Sequence, residues 1–243
     1  MTLKKENVAV VTGGSLGMGA DICQRLLADG VTVINLSYEP AKFSHENLNN
    51  MNVDLTDRVA THAVAQEIAR QYNVSRFIHC AGTVRPACLD DVKLDDLDYL
   101  TELHLGCAIT LVQAFVPAMR EAHFGRIILI SSRGVLGLPT RTVYSATKGA
   151  MLSMARTWAM ELADQGITVN TVAPGPVATE LFLKFVPSPE RQAEIAATVP
   201  VKRLGKAEDI GRVVHFLLEE DSSFITGQTM YICGGASLGT LTM

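Results

Sequence analysis

The chain has 243 residues, of which 48% are hydrophobic and 19% charged, enough apolar surface for one large core. A net charge of -4 gives no basic footprint for nucleic acid. No unbroken apolar run reaches the roughly 20 residues of a bilayer-crossing helix. The opening MTLKKENVAVVTGG shows no signal-peptide core, and the five cysteines, Cys23, Cys80, Cys88, Cys107 and Cys233, form no CxxC pair. These features point to a cytoplasmic protein with reduced thiols, no membrane partner and no nucleic-acid partner.

Residues 8–11 (VAVV) read as a first strand and run into Thr12-Gly13-Gly14-Ser15-Leu16-Gly17-Met18-Gly19. Glycines at this spacing let a backbone turn tightly and approach a pyrophosphate. The helix expected over 19–28 would then present its free N–H groups to the phosphates. A second strand over 31–36 ends at Ser37-Tyr38. An acidic residue there would bind the ribose hydroxyls of NAD and repel a 2′-phosphate; its absence leans the reading toward NADP, with Glu39 close enough to reverse it. The connection 37–50 has little room for a crossover helix. A short third strand, 51–53, leads into Asp54, placed either to accept from an adenine amino group or to cap the helix expected over 57–71 with Thr56 and Asp57.

A fourth strand, 76–79, is followed by Ala81-Gly82 after His79-Cys80, and by a long helix over 94–122. The fifth strand, 126–130, ends in Ser131-Ser132. The next helix, 145–164, begins beside Tyr144 and carries Lys148 four residues on, which puts the two on one helical face. An ammonium beside a tyrosine stabilises the phenolate. Lowering its pKa by about three units takes roughly 4 kcal/mol. Tyr144 could then exchange a proton with an alcohol or carbonyl oxygen, and a serine at the strand end could hydrogen-bond that oxygen. A sixth strand over 167–172 runs into Pro174-Gly175-Pro176-Val177-Ala178-Thr179. Residues 181–200 read as an irregular lid between proline brackets, before a helix over 207–219 and a strand over 230–232. Alternating strands and helices predict one α/β domain spanning 1–243, a doubly wound parallel sheet of seven strands with helices on both faces.

Taken together, TGxxxGxG at Thr12 to Gly19, YxxxK at Tyr144 to Lys148 and PGxxxT at Pro174 to Thr179 resemble the short-chain dehydrogenase/reductase family. So do the C-terminal elements Arg203-Leu204-Gly205, Ile225-Thr226-Gly227 and Cys233-Gly234-Gly235, and the resemblance covers essentially the whole chain. It implies a Rossmann-like fold with strand order 3-2-1-4-5-6-7, a homotetramer or dimer, and NAD(P)H-dependent hydride transfer between a small-molecule ketone and secondary alcohol. The substrate would be of a 3-oxoacyl or small cyclic or aromatic type. The implied cofactor site comprises Gly13, Ser15, Leu16, Gly17, Met18, Gly19, Ser37, Tyr38, Asp54, Leu55, Cys80, Ala81, Gly82, Tyr144, Lys148, Pro174, Gly175, Val177 and Thr179. The implied catalytic set is Ser132, Tyr144 and Lys148, to which His104 is added as the residue at the family's asparagine position.

Three positions depart from the family. Its NNAG reads His79-Cys80-Ala81-Gly82. His104 stands where an asparagine normally anchors a water that leads from the lysine to solvent. The serine-to-tyrosine span is one residue short, which leaves Ser131 as an alternative to Ser132; strand register selects Ser132. Near the expected substrate space stand Arg85, Arg133 and Arg141, suited to an acidic group or simply solvated. His79, Cys80 and His104 lack metal-ligand spacing, so no metal is expected. The departures keep open a catalytically silent cofactor-binding regulator on the same fold, as well as a dehydratase or epimerase. The apolar helix 149–164 suggests burial against a second subunit.

Overall fold

The computed structural model describes residues 5–238. Seven parallel strands form one sheet: β1 (Lys5–Thr12), β2 (Thr32–Ser37), β3 (Leu48–Asn52), β4 (Tyr72–His79), β5 (Gly125–Ile130), β6 (Ile167–Pro174) and β7 (Thr229–Ile232). Their order is β3-β2-β1-β4-β5-β6-β7, as the family resemblance implies. Helices α1 (Gly17–Ala28) and α8 (Ala207–Leu218) cover one face. Helices α2 (Arg58–Gln71), α4 (Cys107–Glu121) and α5 (Thr142–Leu162) cover the other. Alternation along β1 assigns its side chains: Val8 and Val10 pack toward α2, α4 and α5, whereas Ala9 and Val11 pack toward α1 and α8. Every residue of β2, β5 and β6 is buried, as expected of strands covered on both faces.

The ends of the sheet differ from the sequence expectation. β3 is an edge strand of sequence LNNMN that pairs only with β2, so it shows no buried alternation. β4 begins four residues earlier than its apolar run, because Tyr72 pairs with Lys5 of β1 across a register shift. No helix joins β2 to β3, in line with the short polar connection.

The helix expected over 94–122 is α3 (Leu94–Thr101) joined to α4 through a π turn at Glu102–Gly106. Leu94–Glu121 is long and apolar enough, with a mean hydropathy of 1.3 over its best window, to match a membrane span by length and composition. Counting unbroken apolar runs misses it because Glu102 and His104 interrupt the run. Half of that window is buried, and α4 packs on α2 and β4 as a core helix does. Residues 181–200 are not irregular. Thr179 and Ser188 cap two short helices, α6 (Glu180–Phe185) and α7 (Pro189–Thr198), and Pro189 opens the second, where a proline needs no N–H partner.

Asp57 caps α2 by accepting from the amides of Val59 (2.8 Å) and Ala60 (3.0 Å). Asp57→Ala should cost about 1 kcal/mol. Thermal unfolding should register this as a loss of roughly 2–4 °C, with activity unchanged.

Candidate active site

β1 delivers the chain into a turn that only glycine fits. Gly13 has φ +68°, and a Cβ on it would stand 2.8 Å from Ala81 Cα. A Cβ on Gly19 would stand 2.1 Å from the Gly13 carbonyl oxygen. The backbones of β1, α1 and the β4 edge therefore touch without intervening side chains. Leu16 precedes α1 and supplies no capping hydrogen bond, so the first-turn amides at Gly17, Met18 and Gly19 are left for an anion. This cradle fits the pyrophosphate of a dinucleotide.

Beside it lies a closed polar network. Ser15 donates to the Glu39 carbonyl, Asn35 donates to Ser15 (3.0 Å) and to Asn50 (2.8 Å), and Ser37 donates to Asn35 (2.7 Å). Ser37 is buried and its hydroxyl turns inward, while Tyr38 is exposed. Asp54 accepts from the Thr56 amide (2.9 Å) and hydroxyl (2.7 Å), forming a turn, and it is Asp57 that caps α2. Leu55 is buried in the core beneath that turn.

The carboxyl ends of β4, β5 and β6 converge on the second half of the site. Ser131 and Ser132 follow β5 but face different partners. Ser131 Oγ donates to the Lys148 carbonyl at 2.8 Å and ties the strand to α5. Ser132 Oγ accepts from the Gly134 amide at 3.0 Å, and both this hydroxyl and the Tyr144 ring lie against Gly134. Ser132 and Tyr144 are thus brought together, and Ser131 is directed away.

Lys148 is buried, and its Nζ donates to the Ile130 carbonyl at 2.7 Å. Burial lowers its pKa to about 8, against the opposing pull of the Cys80 and Cys107 thiols. The expected effect of Lys148 on Tyr144 is not what this structure shows. Burial raises the phenol pKa; the Ser132 hydroxyl and the Arg141 charge lower it, and Cys80 raises it. The physical reason is that the lysine's proton is directed to the β5 carbonyl and the site's low polarity penalises the phenolate.

The π turn puts His104 into the same site. Its ring packs edge-on to Tyr144, with centroids 5.8 Å apart. Nδ1 lies 2.9 Å from Thr147 Oγ1. The Thr147 hydroxyl has one proton, which reaches the carbonyls of Val143 and Tyr144 (3.1 Å each). Thr147 therefore accepts from His104 Nδ1–H, which leaves Nε2 with a free lone pair. That atom is buried and without a partner among the described residues. A Cβ on Gly82 would lie 3.1 Å from His104 Nε2 and 3.2 Å from Lys148 Nζ, so the two nitrogens flank one small space. Burial first, then the charge of Lys148, holds His104 neutral.

Matches to known proteins follow this geometry closely. Residues 13–237 match the family described as enoyl-(acyl carrier protein) reductase. The chain is 33% identical over 236 residues to the 3-oxoacyl-(acyl-carrier-protein) reductase FabG of Salmonella typhimurium, covering 94% of this chain and 96% of that protein. It is 30% identical over 246 residues to the 2,3-dihydroxy-2,3-dihydro-p-cumate dehydrogenase of Pseudomonas putida, covering 95% and 94%. A short chain dehydrogenase family protein from Francisella tularensis superposes with a TM-score of 0.88 at 27% identity, covering 97% and 100%. The structure of ElxO with NADP bound gives 0.87 at 28%, covering 96% and 99%. The chain belongs to the short-chain dehydrogenase/reductase family. It is an NAD(P)-dependent oxidoreductase acting on CH–OH groups, and nothing in these relatives supports a silent regulator.

In this short-chain dehydrogenase/reductase the β6 loop closes over the remaining side of the site. Gly175 passes so near Cys233 that a Cβ would stand 2.7 Å from its Cα, Val177 is buried, and Thr179 caps α6 beside Gly17. The arginines are differently engaged. Arg133 donates to the Ala236 carbonyl at 2.9 Å, Arg85 lies over the Tyr99 ring, and Arg141 bonds Thr140 while its charge reaches Tyr144. Among the described residues no group of three or more His, Cys, Asp or Glu is placed to hold a metal. Sequence reasoning missed the burial of His79. Its place at the end of the apolar strand RFIH was the available signal.

His79 is also neutral, its pKa lowered to about 3 by burial first and Lys148 second. Its folded pKa lies below the unfolded value of about 6.5. The stability it contributes is therefore complete above about pH 6.5 and lost as pH falls toward about 3. His79→Gln removes that titration. Between about pH 7 and about pH 5 its unfolding free energy in urea should fall less than that of the wild type, by on the order of 2 kcal/mol.

Proposed function

We propose that this enzyme reduces a ketone to a secondary alcohol with NADPH, and that the substrate is a 3-oxoacyl thioester or a ketone of similar size. The observation that carries the reading is the Ser132–Tyr144 hydroxyl pair at the carboxyl edge of β5, with the buried ammonium of Lys148 on the same helix as the tyrosine. FabG relatives support the 3-oxoacyl class, and ElxO with NADP bound supports the phosphorylated cofactor. The absence of a carboxylate at Ser37 points the same way.

The cradle residues Gly13 and Ser15 to Gly19 hold the pyrophosphate. Ser37, Tyr38, Asp54 and Leu55 border the adenosine end, and Cys80, Ala81 and Gly82 form the floor. Pro174, Gly175, Val177 and Thr179 cover the nicotinamide end, with residues 181–200 as the substrate lid. When bound, the nicotinamide supplies the hydride. Ser132 and Tyr144 grip the carbonyl oxygen, and Tyr144 gives it a proton as negative charge develops there. Lys148 stabilises the tyrosinate that remains. A pKa of about 8 makes the lysine proton mobile near neutral pH, so Lys148 can return a proton to the tyrosinate, and His104 Nε2, beside it, stands on the path by which the lysine is reprotonated. His104 thus performs the relay usually built on an asparagine.

We also place the enzyme in the cytoplasm as a homo-oligomer, dimer or tetramer, packing through α5. On that helix Met151 and Leu162 are buried, Met154 and Trp158 are partly covered, and Met160 stands out in the open.

Fluorescence titration should show NADPH binding that Gly19→Ala abolishes, because its Cβ cannot coexist with the Gly13 carbonyl. On a panel of 3-oxoacyl thioesters and cyclic ketones, Tyr144→Phe should retain NADPH binding and lose about 10²–10⁴-fold in kcat. Turnover undiminished in that variant would overturn the assignment. Ser132→Ala should lose at least about 10²-fold in kcat. Ser131→Ala should keep most activity and lose about 1 kcal/mol of stability.

A further inference from the structure

His79 has no part in the chemistry described so far, yet it is fully buried at the carboxyl end of β4. Its hydrogen bonds determine its tautomer. The hydroxyl of Thr12 accepts from the amides of Cys80 and Ala81, each at 3.1 Å. Both lone pairs are then occupied by groups that can only donate. The remaining contact, 2.8 Å from Thr12 Oγ1 to His79 Nδ1, must therefore be the threonine's O–H donating to the ring. A neutral imidazole that accepts at Nδ1 carries its proton at Nε2. That Nε2–H is buried and makes no close hydrogen bond among the described residues.

The ring faces the backbone of Leu103 and His104, whose carbonyls favour its protonated nitrogen. These two residues lie inside the π turn Glu102–Gly106. Cys107 N–H bonds there to the Glu102 carbonyl, five residues back, and so passes over the Leu103 carbonyl that an α-helix would give it. The Leu103 carbonyl takes the Cys107 thiol, at 3.0 Å, a weak donor. A donor short of an acceptor thus stands opposite the carbonyls of the π turn. The outer side of the turn is fixed separately, by Glu102 folded over Gly106 and paired with Arg58.

We propose that His79 is a positioning residue: locked as the Nε2–H tautomer by Thr12, it directs its proton toward the Leu103 and His104 carbonyls of the π turn, and so holds the ring of His104 beside Lys148. This inference rests on the reading of His104 as a member of the proton path to Lys148. The two histidines are then opposite in kind. His79 is a fixed donor that supports the turn, and His104 presents a lone pair toward the lysine. Lys148 is the charge common to both rings, with the thiols of Cys80 and Cys107 as the other titratable groups near it.

The test is 15N-histidine NMR on the full chain loaded with NADP+, from about pH 5 to about pH 8. The expected result is one histidine held as the Nε2–H tautomer without titrating, its signals lost in His79→Gln. A protonated Nδ1 at His79, or titration near the ordinary histidine value, would overturn the proposal. His79→Leu should shift the His104 nitrogen signals and move the pH profile of kcat. It should also lower kcat by about 10- to 100-fold, as misplacement of a proton-transfer group does. NADPH KM should stay within about twofold, and His79→Gln, which restores an N–H at similar reach, should recover most of the rate. Unchanged His104 signals in His79→Leu would defeat the positioning role, and if that variant does not fold, the wild-type titration decides alone. His104→Leu separates the two readings. An unaltered kcat and pH profile in that variant would defeat the relay, while the response of His104 to His79→Leu would still decide the role of His79.

Discussion

A buried ammonium is the constraint around which the site is arranged. Lys148 sits near the middle of the fold, and an uncompensated charge there is costly. It is accommodated by the Ile130 carbonyl, by a pKa lowered to about 8 and by neighbours that carry no positive charge of their own. His79 and His104 must both be neutral for the lysine to be charged, and its field helps keep them so. The same arrangement that tolerates the charge makes its proton easy to move, which a general-acid system needs.

The doubly wound sheet explains why these groups meet. Ser132 follows β5, Tyr144 and Lys148 belong to α5, His79 ends β4, and the glycine turn follows β1. Parallel strands bring all their carboxyl ends to one edge, so residues far apart in sequence open onto a single crevice. Close backbone contact completes it. Gly13 against Ala81 and Gly19 against Gly13 leave no space between the phosphate cradle and the floor of the site.

Much of this was legible beforehand because the signals are local. Glycines that allow a close turn, a tyrosine and lysine four apart, and runs of alternating strand and helix each depend on neighbours in sequence. The polar edge strand β3 was misplaced because an edge strand needs no apolar alternation, and β4 was shortened because its first residues pair across a register shift. The helices within 181–200 were missed because prolines looked like breaks, although Pro189 stands where a helix begins. Ser131 and Ser132 were separable only by strand register, and their different hydroxyl partners appear only once α5 is docked.

The sequence by itself determined the fold class, the strand order through family resemblance, and the residue types available for proton and hydride chemistry. Those follow from chain-local patterns and from motifs that travel together. Tertiary structure decided the electrostatics. Burial, not Lys148, dominates the Tyr144 phenol, and Thr12 fixes one histidine as a donor while Thr147 leaves the other an acceptor. Protonation states depend on desolvation and on hydrogen bonds between groups tens of residues apart, and only packing sets either of those.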